Sequence, residues 1–364
     1  MRLLLYLCFM LPVSAQLNYE RMAARIADSL ALEKGERVVL RYDPGYFQEI
    51  RGPLKEEIAA RGGVVQAELP YLKPPAEGGG RLAEALKAAD VYLWMPLRDE
   101  LYVSAAEQQA LAAWLRQGGA RREIHFHWSG GSVLADGLPA VHPAGFDGLY
   151  QAALDIDYKA LSARQDRLIA ALRRGVLHIT TPEGTNLRLR VGARPMNKQD
   201  GDASGDRARR ARMKVDREIE LPAGVVRVAP EEDTVNGTLA VAEARFGGVV
   251  ARRIRFHIAE GRVTAVEAAE NREAVEAELK SGGAAGYRFR ELGIGVNPRL
   301  AAPAGSPVLP YYGYGDAVVR LSLGDNEELA GGVRGNWHRW FFFPVSNIDS
   351  ESGPVVRGGR LAIP

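Results

Sequence analysis

One cysteine, Cys8, stands in the whole 364-residue sequence, inside the first apolar stretch. A disulfide framework and a cysteine-ligated zinc site are therefore excluded, and thiol catalysis is excluded once that stretch is removed. An excess of charge of one sign is missing too. Lys and Arg number 47 against 45 Asp and Glu, for a net charge of +2. This gives no electrostatic reason for nucleic acid or an anionic membrane as partner. No Ser-His-Asp arrangement, phosphate-binding glycine loop or zinc-finger spacing occurs. The apolar run at residues 3–13 is too short to anchor in a bilayer.

What is present begins with that run. Arg2 precedes it and Val13-Ser-Ala15 closes it with small residues, the pattern of a signal peptide cut after Ala15. Residues 1–15 thus read as a leader and the protein as exported, periplasmic or extracellular, with no membrane attachment after cleavage. A composition of 46% hydrophobic and 25% charged residues is that of a globular chain. Its length exceeds one ordinary core, so two domains are expected, at residues 16–158 and 159–364.

From residue 19 the chain alternates helical and strand patterns. Met22, Ile26, Leu30 and Leu32 recur on one helical face before a strand at 37–41. A helix at 47–61 precedes a strand at 64–69, a helix at 82–89 precedes one at 91–95, and a helix at 104–117 precedes one at 123–128. Four such repeats with short Gly-marked loops predict a largely parallel sheet covered by helices on both faces. His125 and His127, two apart on a strand, point to one side. Without neighbouring carboxylates they read as packing or hydrogen-bonding residues rather than metal ligands.

A helix over 160–174 carries the chain into the second domain, whose texture differs. The strict alternation at 186–191 predicts antiparallel strands with one wet face, and His178 reads as a strand surface residue. Residues 198–214, with Arg207, Arg209, Arg210 and Arg212, read as an exposed loop. Asn236-Gly-Thr238 matches a glycosylation acceptor, but the Asn-Gly pair reads first as a hairpin turn. A helix is expected over 272–281.

In order along the chain stand Leu221-Pro-Ala-Gly224, Val228-Ala-Pro230, Asp233-Thr-Val-Asn-Gly237, Arg290-Glu-Leu-Gly-Ile-Gly-Val-Asn-Pro298, Leu321-Ser-Leu-Gly324 and Gly331-Gly332. Together with Tyr19-Glu-Arg-Met-Ala-Ala-Arg25 and the strand at 186–191, this succession resembles the aminopeptidase T family of thermophilic metallo-aminopeptidases. The resemblance implies an α/β fold: a helix-covered, largely parallel N-terminal sheet followed by a C-terminal α+β domain with antiparallel strands. It also implies a homodimer and a C-terminal centre in which carboxylates and imidazoles hold two divalent ions, with a metal-bound hydroxide attacking the peptide carbonyl.

Position by position, the family's first glutamate falls on Val225, its second on Glu291, its strand histidine on Arg320, its tyrosine on Glu327 and its final His-x-Asp on His338-Arg-Trp340. Glu291, Glu327 and His338 are the metal-ligating candidates that this leaves. Arg320, Val225, Trp340 and Asn297 are expected to line the old cleft. A guanidinium 4 Å from a divalent ion would disfavour it by about 8 kcal/mol at an effective dielectric near 20. Arg320 is therefore expected to pair with Glu291 or Glu327 where an ion would sit, leaving no cofactor and a cleft for a peptide or small-molecule ligand. Two alternatives stand beside this reading. One is a hydrolase holding a single zinc, cobalt or manganese ion through Glu291, Glu327, His338 and Asp325 or Asp316. The other is a structural or assembly protein.

Overall fold

The computed structural model describes residues 17–45, 48–71, 80–96 and 104–363. Residues 1–15, read above as a leader and containing Cys8, lie outside the described residues, as does most of the loop at 73–80.

Short polar side chains fix where helices begin. Asn18 accepts from the Arg21 amide and opens Tyr19–Leu30, Ser104 and Glu107 cap Ala105–Leu115 reciprocally, and Asp157 accepts from the Lys159 and Ala160 amides at the head of Tyr158–Leu172. The first helix buries Met22, Ile26 and Leu30, three of the four positions its spacing marks.

Five parallel strands form the N-terminal sheet, in the order Val64–Pro70, Arg37–Tyr42, Val91–Met95, Arg122–His125 and Glu218–Glu220. Side chains alternate across it. Val38 and Leu40 pack with Ile26, Ile50 and Leu54 of the helices Tyr19–Leu30 and Gln48–Ala60. Val39 packs with Leu86 and Trp114 of Gly80–Leu86 and Ala105–Leu115 on the opposite face. Helices therefore cover both faces, and each fully buried Ile or Leu contributes about 1.5–3 kcal/mol. The fifth strand comes from residues that a division at 158 places in the second domain.

The remainder is antiparallel, as the alternation implied. An eight-stranded sheet is built around Asn236–Phe246 and Val249–Ala259, and includes Asn186–Arg190 with its alternately exposed and buried residues. Its main hairpin turns at Gly247-Gly248. Asn236-Gly237 is not that turn: Gly237 lies inside the strand, paired with Leu187 and Ile258. A Cβ on Gly237 would come within 2.1 Å of the Asn186 carbonyl, so close strand approach explains this glycine. Nor is 198–214 a bare loop. Asn197–Gln199 is an edge strand, Gly205–Arg209 a short helix, and Arg207 is tied to Asp200 at 2.8 Å.

A second antiparallel sheet lies against the C-terminal edge of the parallel one, in the order His338–Phe343, Val319–Gly324, Phe289–Gly295, Val225–Val228 and Asn197–Gln199. Its central strand is pinned at Gly295, where a Cβ would stand 2.0 Å from the Gly315 carbonyl oxygen. Backbone cannot yield there as a side chain could. Gly295→Ala is expected to lower stability by about 1–3 kcal/mol in urea unfolding, and an unchanged midpoint would contradict this packing.

Candidate functional site

Strand register assembles the site. Arg320 and Arg227 pair across the second sheet with the same residue, Gly293, and Ser322 pairs with Glu291. Alternation then puts Arg227, Arg320, Glu291 and Ser322 on one face. Gly293 gives the guanidinium room, since a Cβ there would approach Arg320 Nε to 3.2 Å. The register slips between Phe289 and Glu291. That bulge turns Arg290 to the same side as its neighbour.

The result is a buried ionic cluster. Glu291, fully inaccessible to solvent, receives Arg227 Nη2 at 2.8 Å on Oε2 and has Arg320 Nε 2.8 Å from Oε1. Arg290 Nε lies 3.7 Å from Oε2. Glu328 takes the second ion pairs of Arg227 and Arg290. Trp340 lies 5.0 Å from the Arg320 guanidinium, face to cation. Burial alone would raise the Glu291 carboxyl, but the guanidiniums of Arg227, Arg320 and Arg290 outweigh it and hold it far below the carboxylate range. The same contest, won by Arg227 and Arg290, brings Glu328 down to about 2.

This face forms one wall of a cleft of about 940 Å³, and the end of the parallel sheet forms the other. There His125 closes its strand, and the parallel partner strand sets Glu220 beside it. His125 Nδ1 is 2.9 Å from Glu220 Oε1, and His127 Nε2 is 3.8 Å from Glu220 Oε2. Glu123 Oε1 stands 2.9 Å from His125 Nε2. Burial depresses His125, but Glu123 and Glu220 prevail and raise it well above its ordinary value. Among the described residues, His125, His127 and Glu220 form the one group whose donor atoms converge enough to hold a metal ion, all within 4.8 Å.

The residues named from the sequence divide between cleft and scaffold. Arg320, His338 and Trp340 line the cleft, and Glu291 lies beneath it. His338 stacks on Trp340 at 4.9 Å. Glu327 is exposed and pairs with Arg334, while Glu328, one residue on, reaches the arginines. Val225 is packed in the core. Asn297 donates to the Ala223 carbonyl at 2.7 Å and accepts from the Arg299 amide, so it fastens a turn. Asp325 accepts from the Glu327 and Gly335 amides, and Asp316 is 2.9 Å from Arg164. His178 bonds to Asn186 on the strand surface. Sequence reasoning missed Glu220, Glu123 and Glu328. Glu123 was the available signal, since it lies two residues before His125 on the same side of the strand.

Glu291 and Glu328 have folded-state values below their unfolded value near 4.3, so the stability they add is present above that value and lost as pH falls toward 2. Urea unfolding should show a midpoint that declines from about pH 4.5 to 2, with a flatter decline in Glu328→Gln. At neutral pH, Glu291→Gln should remove about 3–5 kcal/mol by stranding its guanidiniums. A profile identical in wild type and variant would contradict this assignment.

No protein-family model matches the sequence, and no curated protein matches it. Solved structures do. The 2,5-dihydroxypyridine dioxygenase of Pseudomonas putida KT2440 matches with a TM-score of 0.65 and 18% identity, over 95% of this chain and 97% of that one. Wild-type AmpT of Thermus thermophilus, an aminopeptidase T, matches with a TM-score of 0.64 and 16% identity, over 95% and 100%. The chain has the aminopeptidase T fold along nearly its whole length.

Proposed function

We propose that the chain is an exported protein of this fold that has lost the dimetal peptidase centre around Glu291 and binds a carboxylate-bearing peptide or small molecule in the cleft. The observation that carries the reading is the buried guanidinium of Arg320, 2.8 Å from Glu291, at the position where the resemblance would put an imidazole.

The donor set around Glu291 does not suit a pair of divalent ions. Its two oxygens already face Arg320 and Arg227, Val225 offers no ligand, and Glu327 is directed to solvent. A dication would meet three permanently charged guanidiniums. Asp325 and Asp316, needed by a single-ion arrangement there, are engaged in a turn and an ion pair.

The same cluster suits an anion. Three guanidiniums, from Arg227, Arg290 and Arg320, share two carboxylates, Glu291 and Glu328, so this wall carries one positive charge in excess. Arg320 Nη2 makes no hydrogen bond among the described residues. A planar guanidinium beside an indole face is suited to a ligand carboxylate. The fold does not choose the chemistry, since a dioxygenase and an aminopeptidase share it. Export rests on the leader pattern of residues 1–15, and a homodimer on the resemblance.

Calorimetry with short peptides, as free acids and as C-terminal amides, tests the reading. Free acids should bind, and amidation or Arg320→Met should each weaken binding by about tenfold or more, as expected for a lost hydrogen bond to a charged group. Equal affinity for acid and amide would overturn it, as would two tightly held ions that are lost in Glu291→Gln. Mature protein recovered from its host should begin at Gln16, and intact residues 1–15 would contradict export.

A further inference from the structure

The opposite wall of the cleft has a different character from the arginine cluster. Its residues come from the C-terminal ends of two adjacent parallel strands, where open α/β sheets place their ligands. His125 and Glu220 face each other across the strand pair, and His127 follows two residues beyond His125. The pairs His125 Nδ1–Glu220 and His127 Nε2–Glu220 measure 2.9 and 3.8 Å. Donors about 2.1 Å from a common ion can be separated by up to roughly twice that distance, so both pairs already lie within range.

The surroundings hold each donor by its far side. Glu123, itself buried, stands 2.9 Å from His125 Nε2, which leaves Nδ1 toward Glu220. Tyr312 Oη lies 2.9 Å from His127 Nδ1, which leaves Nε2 toward Glu220. Tyr311 Oη donates to Glu220 Oε2 at 3.1 Å. Carboxylate and phenol partners of this kind orient ligating imidazoles and fix their tautomers. Trp94 meets both imidazoles edge-on, with ring centres 5.1 and 4.9 Å away.

Backbone geometry adds an independent observation. Tyr311 and Tyr312 are consecutive bulky residues with left-handed φ of 38° and 50°, and Trp128, directly after His127, has a φ of 40°. Such conformations are unfavourable for large side chains and persist where the surrounding structure demands them. Here they place two phenols on the donor cluster and begin a 3-10 turn, Trp128–Gly131, immediately beyond its last imidazole.

We infer that His125, His127 and Glu220 form a mononuclear site for a divalent transition ion, zinc or ferrous iron, with its remaining positions open to the cleft. Two imidazoles and one carboxylate on one side of an ion are a donor set suited to either metal, and they leave room for water or a ligand. A ligand carboxylate held at Arg320 would lie in the same cavity as the ion. The site goes beyond the carboxylate binding proposed above and does not depend on Arg320.

The test is direct metal binding by the full chain. Purified protein is stripped with chelator and dialysed against zinc or, without oxygen, ferrous iron. Metal is then counted by plasma mass spectrometry, and the visible spectrum of the cobalt-substituted protein is recorded. We expect one ion per chain, a melting temperature that rises with metal concentration, and loss of both in His127→Ala and Glu220→Gln. Tyr312→Phe, outside the ligand set, should weaken binding about 10- to 100-fold, as outer partners of ligating histidines do. Arg320→Met should keep the ion, which separates this site from the carboxylate reading. The choice between metals follows from which ion is retained at the lower free concentration. Folded wild-type protein that binds neither ion stoichiometrically would overturn the site. So would binding that survives both His127→Ala and Glu220→Gln, or binding lost in Glu291→Gln but retained in those two.

Discussion

A carboxylate cannot remain charged in a dry interior unless cations and hydrogen-bond donors surround it, and Glu291 is the place where this protein meets that condition. The second antiparallel sheet is arranged to satisfy it. The central strand supplies Glu291 and, through a bulge, Arg290; the flanking strands supply Arg227 and Arg320; Gly293 leaves the floor open beneath them. Glu328 then takes the outward sides of two of the arginines. A cluster of this kind is weak grounds for high stability, because desolvation offsets much of the attraction, but it fixes geometry firmly. Each member can relax only by abandoning a partner.

The cleft therefore has two chemically unlike walls. One is a fixed array of guanidiniums whose charge no accessible pH removes. The other gathers two imidazoles and three glutamates, Glu123, Glu218 and Glu220, at the end of the parallel sheet. Neither wall is prescribed by the fold, which an aminopeptidase and a dioxygenase both use. On that frame this chain sets a guanidinium cluster opposite a wall of imidazoles and glutamates.

Much of this was legible in the sequence where the signal was local. Four helix-strand repeats led to four of the five parallel strands, and the alternation at 186–191 matches Asn186–Arg190 with its wet face. The pairing of Arg320 with Glu291 or Glu327 was expected from the resemblance, which puts Arg320 where an imidazole would hold an ion, and of the two it is Glu291 that Arg320 meets. Less was legible where pairing is long-range. Glu220 meets His125 only because a three-residue strand far along the chain joins the parallel sheet, and no periodicity in so short a segment reveals that. Glu328 rather than Glu327 reaches the arginines because a single turn of 3-10 helix, Glu327–Leu329, rotates one side chain outward and the next inward. Gly237 shows the converse, since an Asn-Gly pair carries a strong local turn preference that strand packing overrides.

The fifth parallel strand has a further consequence for how the molecule is assembled. Until Glu218–Glu220 arrives, one side of Arg122–His125 is an open edge with unpaired backbone groups, and the carboxylate that both His125 and His127 meet is absent. The first half of the chain cannot complete its own sheet during synthesis and must wait for residues translated much later. The parallel sheet is thus complete, and the cleft has both of its walls, only when residues of the second half are in place.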